Sequence, residues 1–203
     1  MSPAVAIRRA EARHTSGLGE LFASNGYGCF CRFWHFDGTS REWLERCFTH
    51  PEENRSAMTM ALCSGSAEMS GLVAETASGE ILGWLKLAPA AVLTKLYAQR
   101  LYKGLECFNG DRTGVYAIGC MLVREEQRRH GIGRALIAGA VGEAARSGAR
   151  AIEAFPRSDA DVADAALMLG PMQPFLDAGF RVVRDFFPYP VLRLELQPNR
   201  MSE

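Results

Sequence analysis

The sequence predicts an α/β (α+β) fold: one domain over residues 1–203, with about seven strands flanked by helices. Three observations carry this. Short β-rich runs alternate with helix-like segments along the whole chain. The apolar run Val115–Val123 is too short for most helices and suits a buried central strand. A charged turn and a helix rich in small residues (Ala135, Ala138, Gly139, Ala140, Gly142) follow it, which lets that helix lie close on a sheet.

In chain order, residues 4–9 read as a first strand and 11–24 as a helix with Leu18, Leu21 and Phe22 on one face. Thr39-Ser40 opens a capped helix, and Pro51 opens another that ends at Gly65. GLVAET and EILGWLKLAP, joined across a glycine turn, form a hairpin. Residues 91–103 read as a helix striped by Leu93, Leu96, Tyr97 and Leu101. After the central strand and its helix, ARAIEAFP is a strand, DVADAALML and PMQPFLDAG are helical, and FRVVRDFF and VLRLEL are the last strands.

Composition narrows function. Apolar residues make up 48% and charged residues 23%, which argues against disorder or a fibrous repeat. Lys plus Arg equal Asp plus Glu at 23 each, so no overall field draws the chain to nucleic acid or an anionic membrane. With neither a signal-like start nor an apolar run near ~18 residues, a cytoplasmic protein is expected. Cys29, Cys31, Cys47, Cys63, Cys107 and Cys120 lack a framework spacing and read as thiols.

The chemistry concentrates in Arg128-Arg129-His130-Gly131-Ile132-Gly133. A strand, a glycine- and arginine-rich turn and a helix present free amides to an anion. Arg128, Arg129 and Arg134 add charge-assisted bonds, so the turn reads as a pyrophosphate cradle. It is neither a Walker loop nor a dinucleotide fingerprint. On its own it could equally be a plain helix start with exposed arginines.

Here the chain resembles the GNAT superfamily, whose signature is Gln/Arg-x-x-Gly-x-Gly/Ala between the fourth strand and the next helix. Arg128, Gly131 and Gly133 match those positions, and Val123 falls at the family's last strand valine. The preceding strand pair, the AIEAF strand and the late F-L-D-A-G-F segment come in the family's order. The resemblance implies a mixed, mostly antiparallel sheet splayed between strands 4 and 5. Residues 70–197 would form the acetyl-CoA-binding core, and 1–65 the variable acceptor-side helices. It further implies that amides of residues 129–134, His130 and Ile132 included, hold the CoA diphosphate, while the pantetheine arm bonds near Met121, Leu122 and Val123. The co-substrate would be acetyl-CoA and the acceptor a primary amine of a small molecule or peptide, attacking directly. A homodimer is also within the family's habits. Phe175 stands where many members carry a tyrosine acid, and it joins the cofactor-binding set without a proton to give.

Glu153, on a strand expected to be central, and Tyr116 are the candidate catalytic groups, since a buried carboxylate must be paired or functional. Glu125 and Glu126 read as solvated, and Cys120 as a small buried apolar residue. His130 is either a donor or a surface histidine. Cys29, Cys31, His35, Cys47 and His50 lack the usual metal spacing, so no metal is expected. The segment GYGCFCRFWHF either lines the acceptor pocket, through Cys29, Cys31 and Trp34, or is plain core. It is similar to one in a GNAT sub-group with Cys-x-Cys-x-x-Trp followed by N-R-x-A-M, here Asn54–Met58. A non-catalytic acyl-CoA sensor, and a thiol or metal module, are the competing readings.

Overall fold

The structure, a computed structural model, describes residues 4–26, 28–158 and 169–196. The strands are β1 (Val5–Arg9), β2 (Gly71–Thr76), β3 (Ile81–Pro89), β4 (Val115–Val123), β5 (Ala151–Ala154), β6 (Arg181–Arg184) and β7 (Val191–Glu195). The helices are α1 (Thr15–Ser24), α2 (Ser40–Thr49), α3 (Pro51–Cys63), α4 (Thr94–Tyr97), α5 (Ile132–Arg146) and α6 (Gln173–Asp177). All seven strands join one sheet in the order β1-β2-β3-β4-β5-β7-β6. Only β4 and β5 are parallel.

Local chemistry explains most boundaries. Thr39 caps α2 in a reciprocal box: its hydroxyl accepts from the Glu42 amide, and the Glu42 carboxylate accepts from the Thr39 amide. The small residues of α5 do what their size suggests. A Cβ added at Gly139 would come within 2.5 Å of Ile7, so α5 lies against β1 at a distance only glycine permits. Leu136, Ile137, Ala140 and Ala144 bury against Leu72, Leu85 and Ile118 to form the core on that face. On the opposite face, α1 and α3 pack Leu18, Leu21 and Met58 against Val73 and Trp84.

One expectation changes. The helix over 91–103 shrinks to the single turn of α4, because Tyr97 and Tyr102 both pack on Phe155, at ring distances of 5.7 and 4.9 Å. Positions five apart lie on different faces of a straight helix and could not both reach it. The helical segment expected over 161–169 falls almost wholly outside the described residues.

The feature that positions the site is where β4 loses its neighbour. β5 pairs only with Val115–Ile118, so residues 119–123 bond to β3 alone. The β3 register also shifts there: Lys86 faces Cys120 and Leu87 faces Ile118, leaving Gly119 as an extra residue in a bulge. The expected splay between strands 4 and 5 begins at this bulge.

Candidate active site

A cleft of about 270 Å³ opens where β4 parts from β5 and runs to the start of α5. Met121, Leu122, Val123, Arg128, Arg129, Gly131, Ile132, Gly133 and Arg134 line it. Gly131 caps α5 in the left-handed region, at φ 83°, which a residue with a side chain adopts only under strain. The first intrahelical bond runs from the Ala135 N–H to the Gly131 carbonyl, at 3.0 Å. The amides of 132–134 precede it and are available to an anion. Arg129 is also left-handed, at φ 62°, a conformation that usually marks a functional constraint.

Arg128 fastens this turn. Its Nε donates to the Val123 carbonyl, and another of its nitrogens donates to the Asn25 Oδ1 at 3.0 Å, where Asn25 ends α1. Arg134 pairs with Asp177 at the end of α6. Asn25, Phe22, Gln127, Gly170, Pro171 and Pro174 also line the cleft, and sequence reasoning missed them. No local pattern could have found Asn25, whose partner lies 103 positions away.

Other expected site residues sit elsewhere. His130 is exposed and outside the lining. Phe175 is fully buried against Phe180 in the α5-side core, so Pro174, its neighbour, reaches the cleft instead. Tyr116 packs into the same core and borders a second depression, lined by Arg9, Glu143 and Ser147, with no share in the cleft.

Glu153 requires a correction. It is 1% exposed, and both its oxygens are filled. Oε1 accepts from Arg112 at 2.7 Å and Arg193 at 3.3 Å, and Oε2 accepts from Arg112 and the Tyr97 hydroxyl, both at 2.6 Å. A carboxylate offers about four acceptor positions, so none remains for a substrate proton. Glu153 is the anchor of a buried ion-pair cluster rather than a base. Burial, then its carboxylate neighbour, drives the Tyr97 hydroxyl far above its ordinary value.

The aromatic, cysteine-rich segment meets the end of the cleft beside the β4 bulge. Cys29 lines it beside Cys120, and Trp34 donates its indole N–H to the Gly119 carbonyl at the bulge, at 2.6 Å. Cys31 is buried, its sulfur accepting the Trp84 indole N–H at 3.3 Å. Lys86 is wholly buried and donates to the Glu68 carbonyl. The sequence did carry a signal for Lys86, a lone cation within an apolar strand, which is rare unless partnered. Among the described residues, no group of three or more His, Cys, Asp or Glu is arranged to hold a metal ion, and no helix is long and apolar enough to cross a membrane.

A seven-stranded sheet split at its one parallel pair, with an anion-seeking helix start at the split, defines an acyl-CoA transferase architecture. The acetyltransferase (GNAT) family matches residues 39–169, well over half of the sequence, and the chain belongs to that family. It is thereby an acetyl-CoA-dependent N-acetyltransferase, with acetyl-CoA as co-substrate.

Solved structures share the fold. A GCN5-related N-acetyltransferase from Kribbella flavida is 22% identical with a TM-score of 0.55, covering 95% of this chain and 98% of its own. The PaiA N-acetyltransferase from Thermoplasma acidophilum, in complex with coenzyme A, is 11% identical at TM-score 0.53, over 95% and 99%. Diaminobutyrate acetyltransferase from Paenibacillus lautus, in complex with L-2,4-diaminobutyric acid and coenzyme A, is 16% identical at TM-score 0.52, over 95% of each chain. No curated protein matches the chain.

Proposed function

We propose that this protein transfers the acetyl group of acetyl-CoA to a primary amine of a small molecule or short peptide, by direct attack on the thioester. The observation that carries this is one continuous cleft, from the amides of 132–134, past the edge of β4 that β5 leaves unpaired, to Cys120 beside the bulge. The diphosphate would sit on those amides with Arg129 and Arg134 beside it. The pantetheine arm would bond along Met121–Val123 as an added strand, bringing the thioester to Gly119 and Cys120. Holding the amine there supplies most of the rate by orientation. Residues 70–197 would form the coenzyme core and residues 1–65 the acceptor side. The diaminobutyrate enzyme, similar in fold, supports a small amine as the acceptor class. A second copy would add at the edge strand β6, where Val182 and Val183 are exposed.

Calorimetric titration with acetyl-CoA, followed by free-thiol release over a panel of amines, tests this reading. Binding with amine-dependent thiol release supports transfer. Binding without release on any amine favours a non-catalytic sensor, and no binding overturns both.

A further inference from the structure

Along β4 the lining of the cleft runs from Val123 through Leu122 and Met121 to Cys120, while β5 holds β4 only as far as Ile118. Gly119 lies between, at the apex where the two strands part. A backbone carbonyl at such a break must find a donor. Here the donor comes from 85 positions away: Trp34 gives its indole N–H to the Gly119 oxygen at 2.6 Å.

A hydroxyl, an amide or a water could satisfy that oxygen equally well, so the bulk of the donor is the telling feature. The indole is pressed onto bare backbone. A Cβ at Gly119 would come within 3.3 Å of Trp34 Nε1 and 3.1 Å of Leu93 Cδ1. Phe33 packs edge-on against the indole, with ring centres 4.8 Å apart, and itself packs on Trp43 at 5.4 Å. Lys95 secures the same turn: its Nζ donates to the Phe36 carbonyl at 2.7 Å and lies 4.6 Å from the centre of the Phe33 ring. The rest of Trp34 packs against the cluster that holds Leu93, Ala117 and Phe155. A ring held on so many sides does not give way to an added methylene, because close-packed surroundings register volume changes of that size.

We propose that Trp34 sets the length of the acyl chain that the cleft accepts, its indole stopping the chain at acetyl where β4 and β5 part. Trp34 is then a specificity-determining residue for the donor. This rests on the transfer reading above. With the pantetheine arm along Met121–Val123 and the thioester beside Cys120, an acyl chain continues in the same direction along β4, towards Gly119. Each carbon beyond the acetyl methyl enters the space that the indole fills. One methylene too many in a closed apolar pocket changes discrimination by about ten-fold or more.

Calorimetric Kd values for acetyl-, propionyl-, butyryl- and hexanoyl-CoA on the whole protein test this, and they need no known acceptor. Wild type should bind butyryl-CoA at least about ten-fold more weakly than acetyl-CoA. In Trp34→Ala the ratio of the two Kd values should move by about ten-fold or more in favour of butyryl-CoA, since each methylene that finds apolar room gains about four-fold. Trp34→Phe keeps a ring and loses the donor, so it should hold most of the wild-type preference. The ratio cancels any general loss of affinity from a loosened β4. If Trp34→Ala does not fold by circular dichroism, Trp34→Leu, which also removes most of the indole, decides in the same way. A wild-type protein that binds butyryl- or hexanoyl-CoA as tightly as acetyl-CoA overturns the proposal. So does a folded Trp34→Ala protein that binds acetyl-CoA and keeps the wild-type ratio. Wild type that binds none of the four thioesters would instead fell the transfer reading, and the length limit with it.

Discussion

Replacing Arg112 with alanine should destabilise the protein and leave the chemistry largely alone. Arg112 supplies two of the four donors on Glu153, at 2.7 and 2.6 Å, and Glu153 is 1% exposed. Removing one partner of a buried pair costs about 3–5 kcal/mol when the other charge is left alone. Arg193 and the Tyr97 hydroxyl stay in place, so the low end of that range, about 3 kcal/mol, is expected. For a chain of this size that lowers Tm by about 6–12 °C. Glu153→Gln should behave alike, since a neutral amide leaves two guanidiniums without their charge. Urea denaturation followed by circular dichroism, with thiol-release kinetics on the same samples, separates stability from catalysis. An Arg112→Ala protein within about 1 kcal/mol of wild type would refute the closed cluster, being the range of an exposed pair. A Glu153→Gln protein of native stability but ten-fold lower kcat would return Glu153 to the chemistry.

Other consequences are sharper at the cleft. A Cβ at Gly131 meets no atom within 4 Å, so Gly131→Glu should fold despite its left-handed strain, and it would bring a carboxylate to the proposed diphosphate site. For unit charges about 5 Å apart the repulsion is about 3 kcal/mol at an effective dielectric near 20, which predicts about a 100-fold weaker acetyl-CoA Kd by calorimetry. Gly131→Ala, which bears only the left-handed strain of about 1–2 kcal/mol, should lose about ten-fold. Trp34→Phe leaves the Gly119 carbonyl without its donor and should cost about 1–3 kcal/mol in urea denaturation. His35 is lowered from 6.5 to about 4, chiefly by burial and then by Lys86. It therefore adds stability that is present above pH 6.5 and lost as pH falls towards 4, and His35→Asn should flatten that part of the stability curve.

Much of this architecture could be read from the sequence because its determinants are local. An apolar run followed by glycine and arginine and then by small residues contains both halves of a strand–turn–helix anion site, and β4, the turn and α5 fall there. The Thr39–Glu42 cap and the turn at Gly79 are local in the same way. Phe175 is different. The likeness of its segment to the family's late motif put it in the cofactor-binding set, but whether a side chain on a one-turn helix faces the cleft or the core depends on where Phe180 and Gly170 lie. Glu153 was recognisable as a residue that must be paired or functional. Which of the two holds depended on Tyr97, Arg112 and Arg193, 56, 41 and 40 positions away.

The two ends of the cleft thus differ in how they are encoded. The end proposed for the diphosphate needs only a helix start and the strand before it, so one continuous stretch specifies it and can be read without the fold. The end proposed for the thioester draws on residues 29–34, on Lys86 and on residues 119–120, and nothing in any one of them announces the others. They meet because β3 pairs with β4 through a one-residue bulge that sets Cys120 across from Lys86, and because a strained loop carries Cys31 under Trp84. Deleting Gly119 would remove the bulge without changing the register, since Lys86 would still face Cys120 and Leu87 would still face Ile118 in a regular ladder. The carbonyl that accepts from Trp34 would go with it, so that deletion should lower stability by about 1–3 kcal/mol in urea denaturation while the turn at 128–134 keeps its affinity for acetyl-CoA by calorimetry. Joint loss of stability and binding would mean instead that the bulge organises the entire cleft.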